Sequence, residues 1–528
     1  MSVAPSDQAA RRRTFAIISH PDAGKTTLTE KFLLYGGAVQ EAGHVKARGQ
    51  RRRVRSDWME LEQKRGISVT SAVLQFPYGG DVLNLLDTPG HRDFSEDTYR
   101  VLAAVDAAVM VLDAAKGIEA QTLKLFEVCR ARGVPLLTFI NKWDRPAREG
   151  LELLDEIEAR LDLQPVPVTW PVGIAGDFRG LIHRRTGSFV RFGRTAHGAA
   201  EAAEEVIDAE RAAAEEGDAW QAAADEVALL GEVGAEVDAE LFLAGEQTPV
   251  FVGSALTNFG VGMLLDGIVE LAPPPTPWPD VQGDPRPLDD PFSGFVFKVQ
   301  ANMDPAHRDR VAFVRVCSGR FERGAVVTHQ PTGRPFATKY AHSVFGQERG
   351  TVDEAYPGDI VALVNAGDVR VGDTLFVGDP VEFPRLPEFA PEHFVVARVR
   401  DTGRFKQFRT GIAQLDEEGV VQVLRRPDTG DQAPVLAAVG PMQLEVATWR
   451  LEHEFGAPVE LTATRYTIAR RTDPASEDKL RSLPGVDVLA RADGTLYALF
   501  ESPFWLARVE DEHPELTLDR LVAEGTEG

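Results

Sequence analysis

Ser19-His20-Pro21-Asp22-Ala23-Gly24-Lys25-Thr26-Thr27 decides the fold of the first half of the chain. Residues 14–19 form an apolar run that reads as a buried strand, and an amphipathic stretch from Thr26 to Tyr35 reads as a helix. The loop between them matches G-x-x-x-x-G-K-[ST], with Ser19 where the general pattern has its first glycine. Backbone amides between Asp22 and Thr26, aided by the N-terminus of the helix, can cradle phosphates. Lys25 would reach the β- and γ-phosphates, and Thr26 would place its hydroxyl on magnesium. Gly24 is read as a backbone requirement. Ser19, His20, Pro21, Ala23 and Thr27 complete the cradle.

Two further stretches narrow the ligand. Asp87-Thr88-Pro89-Gly90-His91 follows an apolar strand at 82–86. A carboxylate at such a strand end can hold magnesium through water. The Gly90 amide is placed to sense a γ-phosphate. Asn141-Lys142-Trp143-Asp144 follows the strand expected at 134–140. The Asp144 carboxylate can accept two hydrogens from the N1 and N2 edge of guanine. Adenine lacks that donor pair, and a buried charge left unpaired costs on the order of 3–5 kcal/mol. The Lys142 stem can lie along the base, and Asn141 can brace the loops. Ser254-Ala255-Leu256, after a later strand at 249–252, would supply a backbone amide to the base carbonyl. These residues specify GTP/GDP with Mg2+.

Between the first two motifs lies Arg65-Gly66-Ile67-Ser68-Val69-Thr70. A hydroxyl here could bind magnesium when the triphosphate is present. Ser68 and Thr70 both qualify, and spacing favours Ser68. Residues 46–70 would then order with GTP and loosen with GDP. The same segment gathers Lys46, Arg48, Arg51, Arg52, Arg53 and Arg55, which fit either a solvated loop or a phosphate-contacting one. His91 is the candidate catalytic residue, placed to position or polarise the attacking water.

Outward from the motifs, apolar strands alternate with amphipathic helices to about residue 275. That pattern predicts a doubly wound, mostly parallel sheet with ligands at the strand ends. Residues 199–240, rich in Ala and Glu, read as an acidic helical insertion. Pro273-Pro274-Pro275-Thr276-Pro277 is a stiff linker. Short strands broken by Gly, Pro and Asp over 276–383 predict a β-barrel. From 384 to 528 the order is βαββαβ, a ferredoxin-like α+β unit, with a C-terminal extension that includes a hairpin at Asp493-Gly494. The expected fold is thus multidomain α/β: a P-loop domain over 1–275, the barrel, and the ferredoxin-like unit.

Composition constrains the setting. The 528 residues are 43% hydrophobic and 26% charged, ordinary for a globular chain. Cys129 and Cys317 sit in apolar stretches, which predicts buried free thiols in a reducing cytoplasm. No apolar stretch approaches the ~20 residues that span a bilayer. The net charge of -24 argues against DNA and mildly against RNA, without excluding a local basic face. A monomer with no membrane partner is expected.

The motifs resemble those of the translational GTPases. Asp22-Ala23-Gly24-Lys25-Thr26, Arg65-Gly66-Ile67-Ser68, Asp87 to His91 and Asn141 to Asp144 carry the general likeness. Within that group the sequence is similar to the peptide chain release factor 3 family. Ile18 to Asp22, Ser56-Asp57-Trp58-Met59-Glu60, Phe94-Ser95-Glu96-Asp97-Thr98-Tyr99-Arg100, Thr169-Trp170-Pro171, Gln300 to Pro305 before His307-Arg308-Asp309-Arg310, and Glu417-Glu418-Gly419 carry that closer likeness. It is close over 11–380 and thins beyond about 430. The resemblance implies a ribosome-stimulated GTPase that promotes dissociation of class-I release factors after peptide release. It also implies that large-subunit RNA sets His91 in its active position. An elongation factor G-like or ribosomal-protection GTPase is the alternative, although such chains continue further past the third domain. A non-catalytic, GTP-dependent ribosome-binding factor is a second alternative.

Overall fold

The computed structural model describes residues 3–37, 72–88, 95–174, 177–193, 202–232, 236–301, 310–345, 348–364, 366, 369–386 and 390–521. Ser68, Thr70, Pro89, Gly90, His91 and the basic cluster at 46–55 lie outside them.

Seven strands form the sheet of the first unit. Their order is Ala72–Tyr78, Asp81–Asp87, Arg12–Ser19, Ala107–Asp113, Leu136–Asn141, Gln247–Val252, Gln164–Pro167. All neighbours run parallel except the first pair, an antiparallel hairpin turned at Gly79-Gly80. Both turn glycines have positive φ, +58° and +94°, as a two-residue hairpin requires. The central strand Arg12–Ser19 pairs with Asp81–Asp87 on one side and Ala107–Asp113 on the other. Strand order therefore reverses beside it, and Ser19, Asp87, Asp113 and Asn141 all emerge at the carboxyl edge. Strands buried on both faces explain the unbroken apolar runs in the sequence. Phe15, Ile17, Val109, Leu137 and Phe251 pack on one side of the sheet, and Ala16, Ile18, Leu86, Met110 and Leu112 on the other.

The acidic insertion holds the helices Ala209–Glu216 and Asp218–Glu232. The structure adds what carries them: a four-stranded antiparallel sheet of Thr169–Val172, Gly180–His183, Ser188–Phe192 and Glu204–Ile207. Trp170 and Phe189 of that sheet pack with Trp220.

The second unit is an antiparallel, barrel-like sheet. Its strands include Ser293–Ala301, Arg310–Ser318, Val326–His329, Ile360–Val364 and Thr374–Phe376, around Val296, Val314, Leu363 and Leu375. It is locked to the first unit. The Arg315 guanidinium is fully buried, donates to both Asp106 oxygens at 2.7 and 2.8 Å and to Ala104 O at 2.6 Å, and lies 5.0 Å from the Trp278 ring. Burial pushes the Asp106 carboxyl up, and Arg315 opposes that shift. At the other side of the seam Asp359 accepts from Arg12 and Gln75 at 2.8 and 3.0 Å.

The third unit pairs its strands in the order Gln422–Leu424, Val435–Ala438, His393–Val399, Val459–Ala463, with helices Phe405–Glu418 and Pro441–His453. That order is the ferredoxin-like one. The extension is more than a hairpin: Ile468–Thr472 joins Val486–Ala490 and Leu496–Phe500 in a three-stranded sheet. The helices Pro474–Ser482 and Pro503–Glu512 flank it. The three units meet at one turn. Glu417 pairs with Arg310 at 3.1 Å, the Glu418 carbonyl accepts from Arg100 at 3.3 Å, and the Glu418 carboxylate accepts from Arg450 at 2.6 and 3.2 Å. Cys129 and Cys317 are buried free thiols, as expected, and burial pushes the Cys317 thiol up to about 12.

Candidate nucleotide site

The loop after Ser19 turns on two residues in left-handed backbone, Asp22 at φ +66° and Gly24 at φ +102°. A Cβ at Gly24 would lie 2.3 Å from Asn141 Nδ2, so glycine is required by conformation and by space. The helix Lys25–Tyr35 begins there without a side-chain cap. Leu28 N is the first amide to find a helical acceptor, Gly24 O at 2.9 Å. The amides of Lys25, Thr26 and Thr27 have no acceptor among the described residues, which leaves a concave row of donors at the positive end of the helix. An anion with several acceptor oxygens fits that cradle.

Lys25 and Asp87 are both buried, and the Lys25 ammonium donates to Asp87 Oδ1. Thr88 beside it is pinned by its hydroxyl to Ile17 O at 2.6 Å. The Thr26 hydroxyl and the Asp87 carboxylate are hard oxygen donors of the kind Mg2+ takes.

Asn141, Asp144 and Ser254-Ala255 lie together at the carboxyl edge. Asn141 is a brace: its Nδ2 donates to Ala23 O at 2.7 Å, and its Oδ1 accepts from Lys142 N at 2.8 Å and Ala255 N at 2.9 Å. It ties the phosphate loop to the loop after Gln247–Val252. Asp144 Oδ1 accepts from the Ser254 hydroxyl at 2.6 Å, which leaves Oδ2 toward Arg145 at 3.7 Å. The serine thus aims the carboxylate, a role its spacing did not reveal. Since the Ala255 amide is held by Asn141, the Leu256 amide is the member of that trio without an acceptor among the described residues.

Lys142 stands in left-handed backbone at φ +70°. Its ammonium donates to Asp22 O and pairs with Asp113 at 2.8 Å. Burial works against the Asp113 charge, but Lys142 and the Ala115 amide hold its carboxyl below the ordinary value. His20 Nδ1 lies 2.7 Å from Glu119 and 2.6 Å from Pro21 O. Asp113 and Glu119 were not singled out in the sequence. A carboxylate ending an apolar strand was the available signal for Asp113.

Comparison with known proteins follows the same division. The family model for the elongation factor Tu GTP binding domain matches residues 10–274, and that for elongation factor G domain 2 matches 291–378. The model for the class II release factor RF3 C-terminal domain matches 383–510. Peptide chain release factor 3 of Microcystis aeruginosa is 48% identical over 521 residues, 98% of this chain and 96% of that one. The chain belongs to the peptide chain release factor 3 family. The Synechococcus elongatus member is 49% identical over 524 residues, 98% of this chain and 94% of that one. A crystal structure of a Thermus thermophilus protein superposes with a TM-score of 0.68 at 24% identity, over 92% of this chain and 72% of that one, which speaks for the fold alone. Family membership makes this chain a GTP-hydrolysing factor of translation termination that works with the ribosome. None of its described helices is long and apolar enough to cross a membrane.

Proposed function

We propose that the chain releases class-I release factors from the ribosome after peptide release, in a step coupled to GTP hydrolysis. The observation that carries this reading is the Asn141 brace, which joins phosphate loop and base loop into one guanine-nucleotide pocket, in a chain of this family.

In this reading Asp144 accepts from the guanine N1 and N2 edge, the Leu256 amide serves the base carbonyl, and the row of amides at 25–27 holds the phosphates. Lys25 would leave Asp87 to reach the β- and γ-phosphates, and the Asp87 carboxylate so released would help hold Mg2+. Thr26, and Ser68 outside the described residues, supply the remaining protein oxygens. Bound Mg2+ would neutralise charge on the β- and γ-oxygens. His91 orients the attacking water. The family resemblance implies that docking on large-subunit RNA sets its position. Unassisted GTPases of this kind turn over at ~10⁻⁴ to 10⁻² s⁻¹, and a partner that completes the site adds ~10³ to 10⁵. The same reading takes the protein as a cytoplasmic monomer, with units at 1–275, 276–383 and 384–528.

GTP hydrolysis, measured with and without ribosomes stalled after peptide release while a labelled class-I factor is followed, tests this. Strong stimulation coupled to factor loss is expected. Stimulation without factor loss would favour an elongation-type or protection role. No stimulation would remove the ribosome as the activating partner.

A further inference from the structure

The end of the first strand of the third unit, the link after it and the start of the first helix carry five cations: Arg398, Arg400, Arg404, Lys406 and Arg409. All five are exposed. Arg398 lies near the end of His393–Val399, and Arg400, whose amide donates to Pro458 O at 2.9 Å, continues that pairing. Two residues apart in extended chain, they leave the same face. Arg404 closes the turn Thr402–Arg404, and Lys406 and Arg409 share a face of the helix Phe405–Glu418.

The surroundings make this strip unusual. Carboxylates outnumber lysines and arginines 81 to 57 in the chain. Some exposed arginines are taken up by them, as Arg211 is by Glu205 and Glu215, and others, such as Arg132 and Arg334, stand singly without an ion pair among the described residues, whereas this strip gathers five cations within residues 398–409. None of these five has a carboxylate partner among the described residues. The acids around them are otherwise placed. Asp401 accepts from the Gly403 amide at 2.8 Å, Glu454 is held by Arg450 at 2.9 Å, and Glu460 lies across the strand pair from Arg398 without an ion pair. The rings in between turn inward: Phe408 is buried, and half-buried Phe405 packs on it.

Guanidinium forks suit phosphate, and with no exposed ring there is no platform on which bases could stack. An acidic chain approaching a polyanion also needs a local strip of opposite sign to set its orientation. We infer that this strip is a docking surface for the phosphate backbone of ribosomal RNA. The inference rests on the ribosome reading above and names the face by which the third unit meets the RNA.

The test compares the unaltered chain with an Arg400→Gln/Arg404→Gln/Arg409→Gln variant. Fluorescently labelled chain is titrated with bacterial ribosomes and, separately, with protein-free ribosomal RNA, over a range of salt. Circular dichroism and thermal unfolding, with GDP binding as a check on the first unit, report that both chains are folded. Each lost phosphate contact lowers the slope of log affinity against log salt by about 0.7–0.9. A slope lower by about two to three on both probes, with affinity at 0.1 M salt down about tenfold or more, is the expected result. Unchanged affinity and slope overturn the inference. So does a loss on ribosomes with none on free RNA, which assigns the strip to an acidic ribosomal protein. A chain that ignores ribosomes yet binds free RNA through the strip would sink the ribosome reading and uphold the RNA surface.

Discussion

Gly24 is held to glycine by its φ of +102° and by the Asn141 amide, which would stand 2.3 Å from any Cβ placed there. Left-handed backbone alone costs a non-glycine residue about 1–3 kcal/mol. Gly24→Ala is therefore expected to weaken GDP binding by about 10- to 100-fold, read by titration with a fluorescent GDP analogue. Ser254→Ala takes away the hydroxyl that aims Asp144, and should cost about tenfold in the same titration, near the ~1.5 kcal/mol of a hydrogen bond to a charged group. Asp144→Asn should shift preference toward xanthine nucleotides, and unchanged selectivity in competition would undo the base assignment. Asp113 adds a pH signature. Its folded carboxyl is held below the ordinary value, so its contribution to stability is complete above about pH 5 and fades as pH falls through the folded value. Urea unfolding of the chain and of Asp113→Asn at several pH values should show a difference that shrinks toward acid. The motif stretches were legible because each packs its chemistry into a few consecutive residues at a strand end, as Gly24-Lys25-Thr26 and Asn141-Lys142-Trp143-Asp144 do. Asp113 and Glu119 were not, because each acts on a residue from a different strand end, and no local spacing encodes that meeting.

At the scale of elements, local pattern served the parallel sheet well and the short antiparallel strands poorly. Residues 82–86 read correctly because strands buried on both faces are unbroken apolar runs. Thr169–Val172 and Gly180–His183 are four residues each, too short to show alternation. Ile468–Thr472 hides behind Arg470 and Arg471. The first helix of the third unit starts at Phe405, after a tighter turn, Thr402–Arg404, that Asp401 caps through the Gly403 amide. The seam between the first two units was invisible, since Arg315 and Asp106 are far apart in sequence. Removing one partner of a buried pair strands the other charge, at about 3–5 kcal/mol. Arg315→Met should destabilise the chain by that order in thermal or chemical unfolding. Arg315→Met/Asp106→Leu should recover most of the loss, and a double variant as unstable as the single would mean the charge pair is not what holds the seam.

Across the whole molecule, three units converge on Glu417, Glu418 and Gly419, and one of the arms reaching them, Arg100, belongs to the helix Ser95–Leu102 of the nucleotide unit. Gly419 ends the helix Phe405–Glu418 at φ +71°, and a Cβ there would fall 2.0 Å from the Arg100 guanidinium. Gly419→Ala should lose stability on both counts. In an Arg100→Ala background only the strained backbone remains, so a double-mutant cycle should give a coupling of about 0.5–3 kcal/mol, and strict additivity would deny the contact.

That contact also constrains how such a chain can drift over generations. The guanidinium occupies the volume a methyl group would need, so a side chain at 419 would push the far end of the Arg100 arm away from the Glu418 carbonyl. Shortening the arm would lift that cost and leave the other, since the left-handed backbone at φ +71° favours glycine on its own account.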